Sequence, residues 1–156
     1  MHLKSLQVNQ FKSYEEARFS FISEINCIVG ENGIGKTNLL DAIHFLSMTK
    51  SSRGIVQGDF VDTQDRETQI TCVFQKGAKK QFLRDDKPYP RLADHIGHFP
   101  VVLMDPHDTD LVREGSEERR RFFDGMMSQL DRNFLDQLLR YNRIVQQRKQ
   151  NPAGNF

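Results

Sequence analysis

Apolar and polar side chains alternate from Leu3 to Phe11 in LKSLQVNQF and again over residues 17–21 in ARFSF. That is the period of a half-buried strand, with the polar stretch KSYEE as the turn between the two. INCIV, residues 25–29, lacks polar interruptions apart from Asn26 and reads as a buried strand running into Gly30. From Lys36 onward Leu39, Leu40, Ala42, Ile43, Phe45 and Leu46 cover much of a helix's circumference, which predicts a helix buried on more than one side. Residues 51–66 carry several breakers and little period, and are predicted as a loop. TQITCVFQK (68–76) alternates again, KQFLRDDKPYP predicts a hairpin around Asp85 and Asp86, RLADHIG a short helix, and PVVLM (100–104) an apolar strand. Beyond the loop DPHDTDLVREG, Phe122, Met126 and Leu130 recur every fourth residue with Phe123 and Met127 beside them. Phe134, Leu138, Tyr141 and Val145 follow, flanked by Leu135 and Leu139, and the two sets predict two amphipathic helices with core-facing stripes. The second helix should stop before Pro152, leaving NPAGNF (151–156) as a frayed tail after one domain over residues 1–150.

Between the apolar run at 25–29 and the helix from Lys36 lies GENGIGKT, which fits G-x-x-x-x-G-K-[ST] with Gly30, Gly35, Lys36 and Thr37 in the required places. A strand before and a helix after would turn successive backbone N–H groups inward at a helix N-terminus, a nest for an anion. The candidate nucleotide-binding residues are therefore Gly30, Glu31, Asn32, Gly33, Ile34, Gly35, Lys36 and Thr37. The glycines admit backbone conformations or close approaches that a Cβ obstructs, Lys36 neutralises β and γ phosphates, and the Thr37 hydroxyl suits Mg²⁺ as a hard oxygen donor. ATP and Mg²⁺ are the expected cofactors.

VVLMD, residues 101–105, has the form of a strand delivering an acid to a metal shell. Asp105 is open to two readings, a metal-shell Asp or the first residue of a polar loop before Pro106. The first reading would make the chain a stand-alone P-loop kinase or hydrolase; a third makes it a non-catalytic interaction module.

Composition narrows the class. With 156 residues, 37% hydrophobic content and twelve Phe, the chain can build one packed core. No apolar run is long enough for a membrane span or a signal peptide, and the two isolated cysteines, Cys27 and Cys72, fit a reduced, cytoplasmic protein. Net charge is only +1, yet residues 1–110 carry 13 basic and 15 acidic side chains against 9 and 6 in residues 111–156. The C-terminal third is thus the basic part, and Arg119, Arg120 and Arg121 are candidates for DNA phosphates, with Glu–Arg pairing along the helix as the alternative use of EERRR. His95, His98 and His107 lack the spacing of a zinc site.

Taken in order, MHLKSLQVNQFKSYEEARFSF, VGENGIGKTNLLDAIHFLSMTKS, FPVVLMDPHDTDLVREGSEERRRFFDGMMSQLD and YNRIVQQR resemble the N-terminal part of the RecF family of bacterial recombination mediators, ABC-type ATPase heads related to SMC proteins. The resemblance covers residues 1–50 and 69–148, and its most specific piece is GSEERRRFFDGMMSQLD together with the glycine loop. It implies an α/β fold: a P-loop NTPase lobe of the ABC-type ATPase head, with a mixed sheet, an antiparallel accessory part near residues 68–90 and a C-terminal helical hairpin. It implies that Lys12 and Ser13 approach the adenine and phosphates, and that the loop from Asp105 lies near a lobe junction. It implies ATP-dependent binding of duplex DNA next to single-strand gaps, RecO and RecR as partners, and an ATP-dependent homodimer. Asp105-Pro106 departs from the family's Ser-Pro or Ala-Pro, and the span 51–68 is shorter than the family's. The sequence also contains neither the Ser-Gly-Gln signature nor the acidic pair of ABC heads, so catalysis is left open and the expectation is a nucleotide cradle with little hydrolysis of its own.

Overall fold

The computed structural model describes residues 2–52, 60–64, 69–75, 79–104 and 115–150. They fall into two compact units, residues 1–96 and residues 97–156.

In the first unit six strands form one sheet in the order β2-β1-β3-β4-β5-β6: β1 Ser5–Phe11, β2 Tyr14–Ser20, β3 Phe60–Gln64, β4 Gln69–Gln75, β5 Lys79–Arg84 and β6 Lys87–Pro88. Alternation in β1 buries Leu6 and Val8 completely. It breaks at Gln10, whose φ of 49° is left-handed, and Phe11 is again buried. The β1–β2 turn is tighter than KSYEE suggests: Phe11 pairs with Tyr14, so Lys12 and Ser13 alone make the bend and residues 14–16 are strand. The Asp85–Asp86 hairpin is present, with both φ values positive (51° and 62°), as a two-residue loop matched to strand twist requires.

Helix α1, Lys36–Met48, buries Leu39, Ala42, Phe45, Leu46 and Met48 as the wide apolar arc predicts, although Leu40 is exposed. Phe45 stands between Phe11 and Phe82, with ring centroids 5.9 and 5.7 Å away. Phe82 continues the aromatic chain to the buried His95 at 4.8 Å, beside the single 3₁₀ turn Leu92–Asp94 that replaces the expected short helix. The imidazole Nε2 of His95 hydrogen-bonds the carbonyl of Leu46, so this histidine belongs to the core.

Two expectations are corrected here. Residues 60–64, read as loop, form β3 between β1 and β4, because edge partners on both sides override a weak local period. INCIV is not a strand; it pairs with none among the described residues, and Ile25 and Val29 are 81% and 89% exposed. All five described pairings are antiparallel, so the parallel component expected of a mixed sheet is not among the described residues.

The second unit holds α2, Ser116–Leu130, and α3, Arg132–Gln150, the expected helical hairpin. Asp131 separates them by serving both ends. Its N–H donates to the carbonyl of Met127, while its Oδ1 accepts the amides of Asn133 (2.8 Å) and Phe134 (3.3 Å), an N-cap for α3. The expected stripes are partly displaced: Leu135 is buried, but Leu130 is 71% exposed. PVVLM is extended and assigned to no strand; instead the Gln129 amide clamps Val101, accepting its N–H at 2.8 Å and donating to its carbonyl at 3.2 Å. Asp105 and His107 lie outside the described residues, as does the tail 151–156. Among the described residues no helix is long and apolar enough to cross a membrane.

Candidate functional site

The glycine loop leads into α1 as the motif demands. Gly33 and Gly35 have φ of 89° and 109°, conformations that glycine adopts without the steric cost of a Cβ. Gly35 takes the N-cap position of α1 and brings no side-chain hydrogen bond to the first turn, so amides at a helix N-terminus are capped by no side chain there. Lys36 folds back over the loop, its ammonium donating to the carbonyls of Gly30 and Glu31, each at 2.7 Å. A cation is thereby held directly beside the helix's positive end, where an anion gains from both. Thr37 is exposed in the first turn of α1.

The β1–β2 turn forms a wall of this loop. Asn38 donates to Ser13 Oγ at 2.8 Å, and the Tyr14 hydroxyl donates to the carbonyl of Gly35 at 3.0 Å. Burial pushes the Tyr14 phenol up, which keeps that donor protonated. Any side chain at position 35 would collide with this wall: a Cβ would stand 2.8 Å from Ser13 Oγ and 3.1 Å from the Tyr14 ring and hydroxyl.

The ammonium of Lys12 is taken up by a carboxylate that the sequence reading did not single out. Asp41, on α1 and 1% exposed, lies 2.6 Å from Lys12 Nζ through Oδ2. Ser51 donates to the same oxygen at 2.7 Å, while the Ser52 amide (2.8 Å) and hydroxyl (2.5 Å) donate to Oδ1. Burial is the largest single influence on this carboxyl and pushes it up, but the bonds from Lys12, Ser52 and Ser51 together prevail and hold it below the ordinary value. A depressed folded pKa adds stability above the unfolded carboxylate value of about 3.9, and that contribution is lost as pH falls through the folded value. An acid titration followed by circular dichroism should therefore show a destabilising limb below about pH 4. Asp41→Asn should weaken that limb; an identical limb in the variant would exclude the assignment. The signal was in NLLDAIHFL, where one carboxylate interrupts a buried apolar arc. Such a group is retained only with charge and hydrogen-bond partners.

The loop residues and Ser13 are thus brought together, with Lys12 anchored alongside. Arg119, Arg120 and Arg121 lie exposed on α2 in the second unit. There Arg121 pairs with Glu117 one turn back and Arg120 donates to Ser116 Oγ at 3.0 Å. No group of three or more His, Cys, Asp or Glu among the described residues could hold a metal ion.

A strand-hairpin wall, a glycine loop and a lysine folded over a helix N-terminus define a P-loop ATPase lobe. The family model of the AAA ATPase domain matches residues 1–146, and the chain belongs to that family. Relatives of the chain include RecF proteins. The DNA replication and repair protein RecF of Flavobacterium johnsoniae is 45% identical over 161 residues, which cover 95% of this chain and 45% of the relative. Two solved structures of the recombination mediator protein RecF, one as RecF-ATPrS and one as RecF-ATP, superimpose with TM-scores of 0.86 and 0.81 at 28% and 29% identity. The first match covers 99% of this chain and 47% of the other, the second 91% and 43%. The chain spans less than half the length of the RecF proteins it matches.

Proposed function

We propose that this chain is the ATP-binding part of a RecF-like recombination mediator. The observation that carries the reading is the Lys36 ammonium, fixed at 2.7 Å from two loop carbonyls beside a helix N-terminus that no side chain caps. A triphosphate suits that cradle: Gly30, Glu31, Asn32, Gly33, Ile34 and Gly35 supply the loop backbone, Lys36 the positive charge, and Thr37 a hydroxyl for Mg²⁺. Thr37 would offer the metal its hydroxyl alongside the phosphate oxygens themselves. Ser13 borders the loop through its hydrogen bond from Asn38, and Lys12, its neighbour in the same turn, has its ammonium held by Asp41. Phosphoryl transfer depends on positioning and charge neutralisation around the γ-phosphate, and this chain's residues supply the binding side of that site.

In the proposed role ATP binding promotes pairing of two copies and engagement of duplex DNA next to single-strand gaps, in concert with RecO and RecR in the cytoplasm. The names and nucleotide-bound forms of the relatives support it, as do the exposed arginines 119–121 on α2. Calorimetric titration tests the nucleotide reading. Affinity should rise from AMP to ADP to ATP, and Thr37→Ala should abolish the gain that Mg²⁺ gives to ATP while leaving Mg²⁺-free ATP binding. Equal affinity for AMP and ATP would refute a phosphate-directed site.

A further inference from the structure

We infer that Asp41 is a positioning residue for the phosphate loop, acting through Lys12 and the β1–β2 turn without touching the nucleotide. The inference rests on the reading of residues 30–37 as a triphosphate cradle.

The chain of contacts is continuous. Asp41 holds Lys12 by an ion pair of 2.6 Å, nearly excluded from solvent on both sides, the Lys12 side chain being 16% exposed. Lys12 itself has a left-handed backbone, φ 52°, which a non-glycine residue keeps only when its surroundings determine it. The two-residue bend and the ion pair both hold it there. The next two residues are the ones that meet the loop: Ser13 accepts from Asn38, and Tyr14 holds the carbonyl of Gly35. Gly35 in turn has no room to shift toward them, since even a Cβ there would overlap Ser13. The position of the turn therefore fixes the left-handed Gly35, and Gly35 starts the helix whose first residue is Lys36.

The same carboxylate also gathers Ser51 and Ser52, which follow the C-terminal end of α1, and Lys12 Nζ reaches Ser51 Oγ at 3.3 Å. One buried charge thus ties three chain segments: the hairpin turn, the middle of α1 and the segment after it. Removing it leaves Lys12 without its counter-charge and releases the turn, whereas removing one serine leaves the ion pair in place. A merely structural carboxylate would lower stability without a local effect on the loop. A positioning carboxylate loosens residues 33–37 ahead of global unfolding.

The test is amide hydrogen exchange on the full chain without nucleotide, combined with ATP titration. Asp41→Asn should speed exchange at the amides of residues 33–37 about tenfold and weaken ATP by a similar factor, the scale set by losing one charge-assisted bond. Lys12→Met, which removes the other half of the pair, should do the same and serves if the first variant does not fold. Ser52→Ala should lower the melting temperature yet leave exchange at 33–37 as in the wild type. Unchanged exchange in Asp41→Asn or Lys12→Met would overturn the inference. So would an equal acceleration in Ser52→Ala, which would mark general loosening. A wild type that binds no ATP would remove the proposed function instead, and the exchange comparison would still decide whether Asp41 positions the loop.

Discussion

Phe45→Ala is expected to destabilise the first unit by about 3–5 kcal/mol, the range for deleting a fully buried ring whose surroundings relax only in part. Phe45 is 1% exposed and lies between Phe11 on β1 and Phe82 on β5. It is therefore the side chain that joins α1 to two strands of the sheet, and neighbours held in strands have little freedom to close the gap. Total stabilities of domains this size are about 5–15 kcal/mol, so the variant should stand near the edge of folding. Urea unfolding followed by circular dichroism measures it; a loss below about 1 kcal/mol would contradict the placement of Phe45 at the centre of the core.

Gly35→Val should cost about 2–5 kcal/mol, from two sources that a control separates. One is conformational: φ of 109° is a poor region for any L side chain and worse for a β-branched one. The other is steric, because the new Cβ meets Ser13 Oγ at 2.8 Å and the Tyr14 ring at 3.1 Å. Gly33 supplies the control, since it too has positive φ, 89°, but nothing lies within 4 Å of a Cβ built there. Gly33→Val should therefore show strain without the clash. If thermal melting found the two variants equally unstable, the β1–β2 wall would not be packed against the loop as described.

Much of this was legible because the signals are local. The spacing of Gly30, Gly35, Lys36 and Thr37 specifies a loop and a helix start whatever surrounds them, and Leu39, Ala42, Phe45 and Leu46 specify the helix's buried arc. The Asp85–Asp86 hairpin was readable for the same reason, two turn residues between extended pieces. What failed depends on partners distant in sequence. INCIV has the composition of a central strand, but a strand is defined by its neighbours, and none among the described residues pairs with it. PVVLM failed likewise, its Val101 amide going to a glutamine side chain. Residues 60–64 were missed in the opposite sense, since Phe60 and Val61 gave a short, weak period while β1 and β4 supplied both edges. Asp41 escaped because an ion pair to Lys12, 29 positions earlier, leaves no periodic mark.

The most direct test of the central claim is a melting scan of the wild type and of Lys36→Ala, each with and without Mg·ATP. At about 100 times Kd, ATP should stabilise the wild type by roughly 2.7 kcal/mol, and Lys36→Ala should show no such gain. An unshifted wild type, or an equal shift in Lys36→Ala, would contradict the claim that residues 30–37 hold a triphosphate.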